Sequence, residues 1–287
     1  MVIQWYPGHM AKTKRLIKEK LALIDVVVEL LDARLPLSSR NPDMDDLCGN
    51  KPRVVALNKS DMADEEITKQ WVDWYAKKGI RAVPICSITG NGIQRLKDEV
   101  ALAVKDKKER DEARGMTGRS IKMMVVGIPN VGKSAFVNKI AGRAGAVTGD
   151  RPGVTRSIQW IRVPGGYELM DTPGVLWPKF DDEKTALNLA FTGAIKDEIM
   201  DVEELAVKVC GFLRNNYPDE FAARYKFDVE DIADLQDYEI LELIAKKRGC
   251  MVSGGDFDYF RAANILLDEL RGMKIGRISF ERPDELG

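Results

Sequence analysis

The chain has 287 residues, of which 44 are basic and 45 acidic, giving a formal net charge of -1. That length favours about two domains, each large enough to bury a core, and the balanced charge excludes a global pull toward nucleic acid or membrane, leaving only local patches for such contacts. The four cysteines, Cys48, Cys86, Cys210 and Cys250, include no C-x-x-C pair, which argues against a zinc site and suits buried thiols in a reducing cytosol; no apolar run reaches membrane-spanning length and the N-terminus carries no secretory pattern, so a soluble cytoplasmic protein is expected.

Residues 10–24 carry basic side chains on one face and Leu16, Ile17, Leu21 and Ile24 on another, which predicts an amphipathic helix packed on the sheet that follows. Short β-rich runs at 26–31, 53–57, 81–85 and 123–126 alternate with helical stretches such as 65–78 and 92–108, the order of a doubly wound, mostly parallel α/β sheet. Residues 105–120 are charged and then punctuated by glycine, with no sustained apolar face, and are expected to be a linker. Runs at 157–163 and 167–170 flank Pro164-Gly165-Gly166, which predicts a hairpin. Beyond these, apolar spacings of three and four over 183–196, 201–215, 237–248 and 256–271 predict helices, with Gly249 and Gly272 as stops. The expected organisation is an α/β domain over 1–178 and an all-α domain over 179–287.

Three motifs carry the chemistry. Gly127-Ile128-Pro129-Asn130-Val131-Gly132-Lys133-Ser134 follows a strand and runs through Ala135 into a helix, so backbone amides and a helix N-terminus converge on phosphate groups. Lys133 is expected to reach the β- and γ-phosphates and Ser134 to offer its hydroxyl to Mg²⁺. Asp171-Thr172-Pro173-Gly174 closes the second hairpin strand, where a carboxylate can hold Mg²⁺ through water and the Gly174 amide can meet the γ-phosphate. Thr155 lies between these motifs and is the candidate to close over metal and γ-phosphate; the alternative is a plain loop threonine. Upstream of both stands Asn58-Lys59-Ser60-Asp61, directly after a strand. Asp61 is suited to accept from the N1–H and 2-amino group of guanine, a donor pair that adenine lacks. Lys59 would lie along the base plane, while Asn58 would support the loop and reach toward the base. Ser87 and a backbone amide near Ile88 fit the remaining loop, facing the guanine O6, with a Gly-rich turn as the alternative for Ser87. The base-reading half thus precedes the phosphate half, the order of a P-loop GTPase whose motifs are circularly permuted.

With these residues in place, nearly the whole chain resembles the YlqF/RbgA family of circularly permuted GTPases, bacterial factors that assist assembly of the large ribosomal subunit. Trp5-Tyr6-Pro7-Gly8-His9-Met10, Asp32-Ala33-Arg34-Leu35-Pro36, Ser39-Arg40-Asn41-Pro42 and the helical C-terminal segment are similar to that family. The resemblance implies a permuted GTPase domain joined to a helical RNA-binding domain. It also implies GTP and GDP as ligands and action, without a membrane, on large-subunit precursors through rRNA and ribosomal proteins. A monomer is expected. Mitochondrial relatives exist, but the missing transit peptide disfavours that reading. Asn130 resembles the asparagine that holds K⁺ beside Mg²⁺ in related GTPases.

Val175 stands where Ras-like switches place a water-orienting glutamine, so slow intrinsic turnover is expected and the missing group must come from elsewhere. His9, the one histidine, has a suitable neutral pKa for orienting the water; capping the 10–24 helix and stacking on RNA are the alternatives. Arg34, Arg40, Arg151 and Arg156 are further candidates for stabilising charge. Basic clusters at Lys12, Lys14, Arg15, Lys18 and Lys20, at Lys246-Lys247-Arg248, and at Arg271, Lys274, Arg277 and Arg282 are candidates for RNA contact, against the plainer reading as solvated helix faces. Because the helical domain follows Asp171-Thr172-Pro173-Gly174 closely, loss of the γ-phosphate is expected to reorient it. A metabolic P-loop kinase is disfavoured by the guanine reader, and a GTPase acting on a protein partner without RNA is the remaining alternative.

Overall fold

The computed structural model describes residue 15 and residues 18–142, 159–172 and 183–286. The chain divides into two units, one of Met1–Asp182 with Ser279–Gly287 and the other of Glu183–Ile278.

In the first unit the elements run β1 (Val26–Asp32), α1 (Met44–Cys48), β2 (Arg53–Asn58), α2 (Glu65–Lys77), β3 (Arg81–Pro84), α3 (Ile93–Ala103), α4 (Lys105–Ala113), β4 (Ile121–Val126), α5 (Lys133–Ala141), β5 (Gln159–Val163) and β6 (Tyr167–Asp171). They build one six-stranded sheet of order β3-β2-β1-β4-β6-β5. All neighbouring strands are parallel except the β5–β6 hairpin. Helices cover the faces, so β1 is buried along its whole length and reads as an almost unbroken apolar run. Its exceptions are Asp32 at its end and, in its middle, Glu29, a buried carboxylate with Arg53 at 3.4 Å and Arg40 at 3.7 Å. Burial pushes the Glu29 carboxyl up, and the two guanidinium groups oppose that shift.

Helix α2 shows how local signals become packing. Asp64 caps it by accepting from the Glu66 and Ile67 amides, and Ile67, Trp71 and Tyr75 recur on one face to pack with Leu31, Val55 and Leu57. From β1 the chain builds β2 and β3 on one side and then crosses to place β4 on the other. That reversal of strand order falls between β1 and β4, and the carboxyl ends of strands at such a switch point are where ligands of open α/β sheets bind.

The linker expected over 105–120 is helical in its first half. Lys105–Ala113 buries no residue but consists of strong helix formers, with Lys105 facing Glu109 and Lys108 facing Glu112, each pair at 3.9 Å. Residues 18–20 are helical and Leu21–Leu23 forms a 3₁₀ turn; the rest of the helix expected over 10–24, apart from Arg15 and Ile24, lies outside the described residues.

The second unit contains α6 (Glu183–Phe191), α7 (Val202–Asn216), α8 (Pro218–Tyr225), α9 (Val229–Ala233), α10 (Asp237–Arg248) and α11 (Tyr259–Arg271). Its core includes Leu205, Val209, Leu213, Ile240, Ile244, Leu266 and Leu270, all buried. Buried Glu269 accepts hydrogen bonds from Arg224 and Arg248, which ties α8 and α10 to α11. The domain boundary drawn from sequence differs at the C-terminal end: Ser279–Gly287, expected in the helical domain, belongs to the first unit. The physical reason is a set of hydrogen bonds with other residues of the first unit: Phe280 N–H donates to the Arg34 carbonyl at 2.7 Å, while Ser279 and Glu281 accept from the Asp64, Leu37 and Ser38 amides. Among the described residues no helix is long and apolar enough to cross a membrane, and all four cysteines are buried and free.

Candidate functional site

The loops leaving β2, β3 and β4 meet through one side chain. Asn58 ends β2 and is buried. Its Nδ2 donates to the Val131 carbonyl at 2.7 Å, and its Oδ1 accepts from the Ser87 amide at 3.0 Å and the Ser87 hydroxyl at 2.7 Å. The amide therefore ties together the loop after β2, the loop after β3 and the glycine-rich loop after β4. Sequence reasoning has Asn58 support the loop and reach toward a base; in the structure both ends of its amide serve this three-loop bridge. Gly132 is the complement of the bridge. Its φ is 96°, and a Cβ added there would stand 2.4 Å from Asn58 Nδ2, so only glycine lets the two loops approach this closely. Gly127 is under a similar constraint, since a Cβ there would lie 2.6 Å from the Leu30 carbonyl of β1.

Lys59 follows with a left-handed backbone, φ 60°, a conformation that non-glycine residues adopt at a cost and that clusters at functional loops. Its Nζ lies 3.1 Å from an Asp32 carboxylate oxygen at the end of the neighbouring strand β1. Asp32 is also gripped by Arg34, whose Nε and Nη2 donate to it at 2.9 and 2.8 Å and whose backbone amide donates at 3.1 Å. Burial works to raise the Asp32 carboxyl, but the Arg34 and Lys59 charges overcome it and hold the group well below the usual carboxylate range. The reverse holds for Lys59, where burial outweighs Asp32 and lowers the ammonium. Asp32 is the partner that sequence reasoning missed at this site; the signal available was its place at the end of the strand beside Asn58, with which it is in register.

Arg34 and Arg40, candidates for stabilising charge against the commoner reading of paired arginines, are paired: Arg34 is buried against Asp32, and Arg40 pairs with Asp45 at 2.5 Å and Glu29 at 3.7 Å. Both neutralise carboxylates of the fold. Arg271, one of the candidates for RNA contact, is engaged within its own unit: it pairs with Asp197 and donates to the carbonyls of Ala190 and Phe191. Arg248 spends its charge on Glu269.

On the phosphate side, Asn130 is left-handed at φ 59°, and α5 begins at Lys133 with Ser134 and Ala135 in its first turn and no acidic residue there. Lys133 is buried, its Nζ reaching the Gly127 carbonyl at 3.5 Å. Burial draws its ammonium down to about 8, with Asp171 opposing the shift. Asp171 is fully buried at the end of β6, in register with Val125, and the adjacent Thr172 hydroxyl donates to the Val125 carbonyl at 2.7 Å. Thus Lys133 and Asp171 come together electrostatically beside the loop. Ile88 is 81% exposed, an apolar side chain displayed beside the Asn58 bridge. Asp61 lies in the turn after Ser60, whose amide and hydroxyl both donate to the Ile85 carbonyl, at 3.1 and 2.9 Å. His9, Arg151, Thr155, Arg156, Gly174 and Val175 lie outside the described residues.

Comparison with known proteins gives a consistent result. Residues 122–247 match the family described as 50S ribosome-binding GTPase; the match begins on β4, just ahead of the phosphate loop, and leaves Asn58–Asp61 upstream of it. Ribosome biogenesis GTPase A of Bacillus cereus is 49% identical, the alignment covering 100% of this chain and 96% of that protein. Among solved structures, GDP-bound YlqF aligns with a TM-score of 0.67 and 28% identity over 94% of this chain and 100% of that one. GNP-bound YlqF from T. maritima aligns with a TM-score of 0.65 and 28% identity over 95% of this chain and 99% of that one.

Proposed function

This chain belongs to the ribosome biogenesis GTPase A family, and we propose that it is a GTP-hydrolysing switch that assists late assembly of the large ribosomal subunit, binding precursor particles through rRNA and ribosomal proteins in a nucleotide-dependent way. The observation that carries the nucleotide half of this reading is the Asn58 bridge, which makes one crevice of three loops scattered along the sequence. In that crevice Asp61 reads the N1–H and 2-amino group of guanine, Lys59 lies along the base with Asp32 as its counter-ion, and the amide near Ile88 meets O6. Backbone amides from Asn130 through Val131, Gly132 and Ala135, together with Lys133 and the N-terminus of α5, hold the phosphates.

Ser134 and Asp171 supply a hydroxyl and a carboxylate, the hard oxygen donors that Mg²⁺ prefers, and a site of two protein ligands completed by phosphate is the usual arrangement for this ion. Thr155 is assigned as the further ligand. Bound there, Mg²⁺ would neutralise charge that develops between the phosphates. We assign K⁺ to Asn130, where it would add to that neutralisation. The Gly174 amide meets the γ-phosphate, and because Val175 has no polar group to orient water, His9 is assigned that task. The protein acts as a cytoplasmic monomer.

Displacement of a fluorescent GDP analogue tests the nucleotide reading: GTP and GDP compete and ATP does not, whereas equal competition by ATP would reject the guanine reader. Hydrolysis compared in KCl and NaCl tests the potassium assignment, which equal rates would sink. His9→Ala is expected to slow turnover with GTP affinity retained; unchanged turnover would remove His9 from the mechanism.

A further inference from the structure

The segment that follows the helical unit ends up against the base-reading half of the crevice. Glu281 is buried, and its two carboxylate oxygens accept from the Leu37 amide at 2.7 Å, the Ser38 amide at 2.9 Å and the Ser38 hydroxyl. Its backbone carbonyl accepts from the Trp71 indole at 3.1 Å. One residue earlier, Phe280 N–H donates to the Arg34 carbonyl at 2.7 Å; one before that, the Ser279 hydroxyl accepts from the Asp64 amide at 3.1 Å.

These contacts land on both flanks of the base motif. Residues 33–40 form the loop that follows Asp32, with the Ala33 amide on the Asn58 carbonyl at 2.7 Å and the Asp32 amide on the Ser39 hydroxyl at 3.0 Å. Asp32 in turn fixes Lys59. Asp64, at the N-cap of α2, ends the short turn that carries Asp61. Glu281 is thus a buried carboxylate whose oxygens accept from amides of a buried loop, an arrangement that fixes backbone geometry and whose removal deletes those hydrogen bonds. Nothing in the base motif itself encodes this support.

We propose that Ser279–Glu281 is a positioning element of the guanine-base site: it clamps the loop 33–40 and the start of α2, and through Asp32 sets the place of Lys59, so that guanine-nucleotide affinity depends on a segment more than two hundred residues along the chain from the base motif. The proposal rests on the nucleotide reading above.

Two measurements test it. Glu281→Ala is expected to raise the dissociation rate of a fluorescent GDP analogue and the KM for GTP about tenfold, with kcat little moved, because the lost bonds orient the base loop and not the phosphates. Glu281→Gln, which keeps one acceptor oxygen, should fall between. Because coupling between sites is reciprocal, saturating the unaltered chain with GDP should also slow hydrogen exchange at the Leu37, Ser38 and Phe280 amides. This second arm needs no variant and stands if Glu281→Ala fails to fold. Unmoved exchange at those three amides while Asn58–Asp61 becomes protected would overturn the proposal, as would a folded Glu281→Ala with wild-type KM. Failure of the unaltered chain to bind GDP would overturn the nucleotide reading, and this proposal with it.

Discussion

Asn58 is the residue whose removal should be felt most widely. Asn58→Ala deletes three buried hydrogen bonds and leaves the Val131 carbonyl and both Ser87 donors without the amide; a loss of about 2 kcal/mol in urea unfolding is expected, together with weaker GDP binding. Wild-type stability in this variant would show that the bridge is dispensable. Lys133 supplies a pH signature. Its folded ammonium is lowered to about 8 from 10.5, so the cost of keeping it charged is present below that value and fades as pH rises toward 10.5. Phosphates bound beside it would restore its basicity, so at about pH 9 GDP binding should take up a proton and weaken as the pH climbs further. Calorimetry in buffers of different ionisation enthalpy measures that uptake; an enthalpy independent of buffer would contradict the assignment. The residue types at the site were legible in sequence, because Asn58–Asp61 and Gly127–Ser134 are motifs with known chemistry. Their partners were not: Val131 is 73 residues from Asn58, and nothing in a linear pattern says that Arg34 spends its charge on Asp32.

Helices divide along the same line. Those with a strong apolar face, α2 and α11, follow their sequence periodicity closely, whereas α8 and α9, with eight and five residues, are too short for periodicity to declare them and were missed. Helix stops were half legible: Gly249 takes the left-handed cap at φ 63°, but after α11 it is Met273, φ 59°, that turns left-handed while Gly272 does not. The ion cluster that joins the helices of the second unit makes its own prediction. Burial works to raise the Glu269 carboxyl, and hydrogen bonds from Arg224 and Arg248 overcome this and hold it at about 2. A lowered carboxyl stabilises the fold above its unfolded value of 4.5 and loses that contribution as pH falls toward 2. Glu269→Gln should therefore cost on the order of 3 kcal/mol at neutral pH, and the gap to wild type should close between these two values. A gap that persists unchanged in acid would mean that Glu269 acts by packing alone.

At the scale of the molecule, circular permutation left the architecture readable because strand order depends on cyclic, not linear, succession; the sheet β3-β2-β1-β4-β6-β5 is the doubly wound arrangement expected. The return of Ser279–Gly287 to the first unit was not readable, since a short polar tail looks the same whether it is solvated or clamped. Its consequence is that the helical unit is joined covalently to the nucleotide unit at both ends: through residues 173–182 after the phosphate-side strand β6, and through Ser279 beside the base-side loop. We propose that hydrolysis answers to the assembling particle, because Val175 has no polar group to orient the attacking water. GTP turnover measured in KCl, with and without purified large ribosomal subunits or their precursors, should show a slow basal rate strongly stimulated by the particle; turnover that is already fast alone and indifferent to the particle would contradict the account.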